Sequence, residues 1–231
     1  MKTCLVTGTD TGVGKTWIST LLIRQMLLIG LRVGAYKPAC SGAEVDESGH
    51  PFWADVEALR VSCGNQPPID RVCPQRFQAA VAPNVAAELE GREVDDQLLL
   101  GGIEPWRNQV DWLIVEGAGG VFCPLSNRTT VLDLAIALHS PVVVVAANRL
   151  GVINHTRLTV ESLQSKGIDV VAVVLNEIFA PTSEVADPSR SMNARQLRQW
   201  LPELPLFQCA WMAEQLTASS PGVSLVDRLL R

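Results

Sequence analysis

An apolar run, Cys4 to Thr7, is followed by Gly8-Thr9-Asp10-Thr11-Gly12-Val13-Gly14-Lys15-Thr16, and then by a segment that is apolar at Trp17, Ile18, Leu21, Leu22, Met26 and Ile29. The first run predicts a strand, and the second, with Gly30 as its stop, a helix over Thr16 to Ile29. A glycine-punctuated loop between strand and helix is where phosphates bind. Gly12 and Gly14 let backbone N–H groups converge on an anion, and the helix N-terminus adds partial positive charge. Lys15 reaches the β- and γ-phosphates, and the Thr16 hydroxyl offers a ligand to Mg²⁺. The common spacing is GxxxxGK[ST]; five residues separate Gly8 from Gly14 here, one more than usual.

The rest of the chain repeats the alternation. Leu31 to Lys37 predicts a second strand ended by Pro38, and Asp55 to Val61 a short helix. Gly64 to Pro83, with four prolines, reads mostly as loop. Helices near Asp95 to Trp106, Val131 to Leu138, Ile153 to Ser165 and Ser191 to Leu201 then alternate with strands Trp112 to Val115, Val142 to Ala147 and Val170 to Leu175. Continuously apolar strands between amphipathic helices mean an α/β, doubly wound, mostly parallel sheet covered on both faces, of the phosphate-loop nucleotide-hydrolase type. The one linker-like stretch, Ala180 to Arg190, comes too late to mark a boundary, and 231 residues fit a single domain.

Composition removes several classes. With 47% hydrophobic and 19% charged residues the chain has ample material for a core. A formal charge of -5 gives no basic surplus for nucleic acid. The longest apolar run, Pro141 to Ala147, is far short of the ~20 residues a membrane span needs, and no leader pattern follows Met1, so a cytoplasmic location is expected. Cys4, Cys40, Cys63, Cys73, Cys123 and Cys209 form no CxxC pair and are expected as reduced thiols packed in the core.

A phosphate loop that holds Mg²⁺ needs an acid from a neighbouring strand, and Trp112-Leu113-Ile114-Val115-Glu116-Gly117-Ala118-Gly119-Gly120 supplies Glu116. A carboxylate closing an apolar strand is costly to bury alone. A metal, or hydrogen bonds from the glycines that follow, would satisfy it.

Four motifs in register, Gly8 to Thr16, Tyr36-Lys37-Pro38 with Ser41-Gly42, Glu116 to Gly120, and Leu150-Gly151-Val152-Ile153-Asn154-His155, closely resemble those of the dethiobiotin synthetases, over about residues 3 to 176. The resemblance implies a homodimeric, ATP- and Mg²⁺-dependent ligase that closes a cyclic urea from 7,8-diaminononanoate and CO₂ or bicarbonate. It implies Lys15 and Lys37 as catalytic lysines and Thr16, Asp55 and Glu116 around the metal. Nucleotide contacts would come from Gly12, Val13, Gly14, Lys15, Thr16, Trp17, Asp55, Glu116, Gly117, Ala118, Gly119, Asn176 and Glu214. Thr11, Lys37 and Ser41 would meet the substrate, with Gly151 and Asn154 reaching it from the partner subunit.

The same residue types suit plainer roles. Lys37 fits a solvated strand end, Asp55 an N-cap, Ser41 and Asn176 turns, and His155 packing at a helix start. The segment Leu206 to Trp211 lacks the glycine and Ile-Pro pair usual in the family, and Phe207 is expected to narrow the base site. The alternative function is a switch ATPase of the partitioning or nitrogenase-iron-protein type acting on a protein partner. Those carry a signature lysine in the slot that Asp10 occupies.

Overall fold

The computed structural model describes residues 1–180, 187–218 and 224–231; most of the linker-like stretch, 181–186, lies outside them. In chain order the elements are β1 (Lys2–Gly8), α1 (Lys15–Leu28), β2 (Val33–Tyr36), β3 (Glu44–Val45), β4 (Pro51–Phe52), α2 (Ala54–Ser62), α3 (Ile69–Val72), α4 (Pro83–Leu89) and α5 (Asp96–Gly101). A 3₁₀ turn at Glu104–Trp106 leads to β5 (Trp112–Gly120), α6 (Val131–Leu138), β6 (Val142–Ala147), α7 (Val152–Gln164), β7 (Val170–Asn176), α8 (Arg190–Trp200), β8 (Leu206–Cys209), β9 (Thr217–Ala218) and α9 (Leu225–Leu230).

Among the described residues seven strands form one sheet in the order β2-β5-β1-β6-β7-β8-β9, parallel throughout except for the edge pair β8 and β9. Its central strands are buried on both faces, as their Val-rich runs require: all six residues of β6 are buried. The order places the site. β5 lies between β2 and β1, with Tyr36 opposite Val115 and Val6 opposite Glu116. Lys37, which follows β2, therefore emerges beside Glu116, and the loop that follows β1 emerges on its other side. β1 is also the strand where the sheet begins to grow the opposite way, toward β6, the switch point at which open α/β sheets bind ligands.

Several boundaries depart from the sequence reading. β5 continues through the glycines to Gly120, paired with Gly8, because residues without side chains let neighbouring backbones stay close. Glu116 is therefore inside a strand, not at its end. The helix expected over Asp95 to Trp106 is two pieces, α5 capped by the Asp95 carboxylate and the 3₁₀ turn, interrupted at Gly102 and Ile103. Pro83, read as loop, opens α4 at a position where a missing N–H costs nothing.

Candidate functional site at the phosphate loop

Gly14 is the N-cap of α1 at φ 90°, a left-handed conformation that favours glycine, and among the described residues no side chain caps the helix. The first-turn N–H groups of α1 therefore have no capping side chain to take them, which is the arrangement an anion exploits. A Cβ on Gly14 would collide with the Asn176 amide, whose Nδ2 donates to the Val13 carbonyl at 3.0 Å. Strand-end Asn176 thus ties β7 to the loop.

Beneath the loop lies a compact ionic cluster. Glu116 is fully buried, yet its carboxylate has three donors. Thr16 Oγ1 reaches Oε1 at 2.9 Å, Lys37 Nζ reaches the same oxygen at 2.7 Å, and Ser19 Oγ reaches Oε2 at 2.7 Å. Lys37 also donates to Asp55 Oδ2 at 2.7 Å. A lone buried carboxylate would be prohibitive, and removing any one donor leaves part of that cost exposed. Burial works against the charge of Lys37, but Glu116 and Asp55 outweigh it and hold the ammonium well above the ordinary lysine range. Burial would raise Asp55, but Lys37 prevails and its carboxyl is held below the usual value. Lys15, buried with its Nζ on the Asp10 carbonyl at 3.0 Å, is shifted the other way, by burial that Glu116 only partly offsets and Lys37 reinforces.

A cavity of about 610 Å³ opens above this cluster. Thr11, Gly12, Gly14, Lys15, Thr16, Trp17, Lys37, Ser41, Asp55, Ala118 and Gly119 line it, with Cys40, Cys123 and an apolar wall, Ala80 to Pro83. A smaller recess of about 230 Å³ continues past Gly12, Gly14 and Trp17 to Asn176, Glu177, Ile178, Trp211 and Met212. One end is charged and the other flat, amide-edged and aromatic, the chemistry of a nucleoside triphosphate.

Residues 2–208 match the family described as AAA domain. The ATP-dependent dethiobiotin synthetase BioD of Anaeromyxobacter dehalogenans (strain 2CP-C) is 40% identical over 211 residues, 91% of each chain. ATP-dependent dethiobiotin synthetase BioD 1 of Escherichia coli O157:H7 is 33% identical over 221 residues, 96% of each. The chain belongs to the dethiobiotin synthetase family. Solved structures share the fold more distantly. MinD of Pyrococcus horikoshii complexed with Mg-ADP has a TM-score of 0.54 at 14% identity over 89% of this chain and 79% of that one. The cell division protein FtsY of Thermotoga maritima has 0.54 at 14% identity over 100% and 68%.

Within this synthetase fold most of the residues singled out in the sequence converge, with several corrections. Lys37 is 3% exposed, not a solvated strand end, and Asp55 stands inside α2, whose N-cap is Trp53. Glu116 is satisfied by side chains from α1 and by Lys37 rather than by the glycines after it. Of those glycines, Gly117 packs on Val131, where a Cβ would lie 2.9 Å from Cγ1, and does not line the cavity. Val13 is buried and offers only its backbone to the site. Phe207 lies in β8, 3% exposed in the core, and leaves the base recess to Trp211 and Met212. Glu214 is exposed and not among the recess-lining residues.

Gly151 and Asn154 lie exposed at the start of α7, on a separate groove shared with α8, and His155 beside them is exposed rather than packed. The site also takes in Ser19, Glu177 and Met212, which no motif marks. Only Ser19 left a signal, its place one turn after Thr16 on the same helix face.

Proposed function

We propose that the protein forms dethiobiotin, closing the ureido ring from 7,8-diaminononanoate and CO₂ with ATP converted to ADP and phosphate, and that it works as one phosphate-loop domain. The observation that carries this reading is the buried Lys37, doubly ion-paired and protonated, facing the same cavity as Lys15 and the open N-terminus of α1. Two cations beside an anion cradle, Lys37 held by its ion pairs, suit a reaction whose every intermediate is anionic.

One amine of the substrate adds to CO₂ and loses a proton, giving a carbamate. A carbamate oxygen attacks the γ-phosphorus as its bond to ADP breaks. The second amine attacks the carbonyl carbon of the mixed anhydride, and the carbon–oxygen bond breaks with phosphate as leaving group. Lys37 holds the carbamate oxygens, Lys15 leaves the Asp10 carbonyl for the γ-phosphate, and the N–H groups at Gly12 to Thr16 hold the phosphates. Thr11 and Ser41 orient the diamine, and the apolar wall at Ala80 to Pro83 covers its carbon chain.

The oxygens of Thr16, Asp55 and Glu116 fit Mg²⁺: they are hard donors, two of them carboxylates, on one cluster beside the phosphate cradle. When bound there, Mg²⁺ would neutralise charge on the phosphoryl oxygens. Gly151 and Asn154 support a homodimer, because an exposed helix N-terminus on a groove separate from the phosphate-loop cavity suits a carboxylate held between two copies. The flat recess from Trp17 to Trp211 takes the adenine, with Asn176 on its edge.

The test is phosphate release by purified protein given ATP, Mg²⁺, bicarbonate and the diamine. Release that requires the diamine is expected; release that ignores it, and responds to a protein or membrane surface, would favour the switch ATPase. Asp10, in the slot that would hold such an enzyme's signature lysine, instead accepts from Thr11 N at 2.7 Å and pairs with Arg149 at 3.0 Å.

A further inference from the structure

Ser19 is sealed from solvent on α1, and its hydroxyl donates to Glu116 Oε2 at 2.7 Å. Thr16 and Lys37, which line the cavity, both bond the other oxygen, Oε1. The terminal torsion of a glutamate is broad and nearly two-fold, so the side chain itself does not choose which oxygen it presents. A donor placed on one oxygen alone breaks that symmetry.

We propose that Ser19 is a positioning residue for the ligase reaction, holding the Glu116 carboxylate in the one orientation that offers Oε1 to Thr16, Lys37 and the metal-bound nucleotide. This rests on the function proposed above. Thr20, the next residue, is buried to nearly the same degree, but its Oγ1 turns to the Trp17 carbonyl at 2.8 Å and leaves the carboxylate alone. It provides a matched control: Ser19→Ala and Thr20→Val each remove a buried hydroxyl from one helix, and only the first removes a bond to Glu116.

The experiment measures ATP affinity by calorimetry, with Mg²⁺ and with a chelator, for the wild type and both variants, alongside thermal melting and the KM for the diamine. Wild type should bind ATP more tightly with Mg²⁺. In Ser19→Ala that tightening should shrink about tenfold, the size of one hydrogen bond to a charged group, while the diamine KM stays within about twofold. Thr20→Val should keep the full tightening. Should Ser19→Ala fail to fold, Ser19→Cys, nearly the same shape with a weak donor, carries the same expectation. An undiminished tightening in the Ser19 variant, or an equal loss in Thr20→Val, would overturn the role of Ser19 and leave the proposed function standing. No magnesium effect in the wild type would overturn both.

Discussion

Around Lys15 the floor of the cavity is ionic, with Lys15, Lys37 and Glu116 buried and the half-exposed Asp55 bonded to Lys37, whereas around Trp211 the outer wall is exposed: Trp211 is 43% and Met212 58% exposed. The first region draws on α1, β2, α2 and β5, and its Lys37, Asp55 and Glu116 are paired before any ligand arrives. The second is a strand end and the turn after β8, tied to the loop by Asn176 and by the Trp17 indole, which donates to the Ala213 carbonyl at 3.2 Å. A reaction on phosphoryl oxygens gains from fixed charge, because charges that need not reorganise stabilise the transition state most. Holding a base asks only for a flat surface.

The largest expected effect is therefore at the phosphate end. Lys15→Gln should reduce turnover by about a thousandfold or more with the fold intact, since Lys15 is the phosphate-loop cation that lines the cavity. Near-normal turnover would remove the contrast between the two regions.

Lys37→Leu comes next. It should impair carbamate use by about a hundredfold while ATP affinity changes little, and should lower stability by about 3 kcal/mol in a denaturant titration, because Glu116 is left buried with only its two hydroxyl donors. Adding Glu116→Gln should restore much of the stability and none of the turnover. Equal loss of ATP affinity would show that Lys37 serves the nucleotide instead.

At the base end, Trp211→Ala should weaken ATP binding only about fivefold and leave diamine-saturated turnover unchanged, as expected for one half-exposed stacking surface. A loss as large as that from Lys15→Gln would mean that the recess is as rigid as the cradle.

The smallest effect lies away from both. Arg32 holds Asp111 through bonds at 2.7 and 3.2 Å, with its guanidinium pushing that carboxyl down to about 2. Because the folded value is depressed, the pair's contribution is present above the ordinary aspartate range near ~4 and is lost as pH falls toward 2. In Asp111→Asn the acid limb of the stability curve should flatten slightly, with turnover at neutral pH unaltered. The pair is exposed, so the change should be near the limit of measurement.

How far the sequence could be read follows the same division. The cradle was legible because its residues are consecutive, and their spacing alone sets the loop and the helix that follows. The parallel sheet was legible because strands such as Val142 to Ala147 are apolar at every position, which only a sheet covered on both faces requires. The partners of Glu116 were not, since Lys37 stands 79 residues away and meets it only because β5 inserts between β2 and β1. The base recess was hardest. Its walls are brought together by the antiparallel edge at β8 and β9, which no motif announces, and Phe207 falls on the face of β8 that packs inward.

The most direct measurement uses CO₂ labelled with heavy oxygen in a single-turnover reaction with ATP, Mg²⁺ and the diamine, with the phosphate and the product weighed by mass spectrometry. If a carbamate oxygen attacks the γ-phosphorus in the cradle beside Lys37, one labelled oxygen should leave in the phosphate for each ring closed, and one should remain in the ureido carbonyl. Unlabelled phosphate, or phosphate released without ring formation, would contradict it.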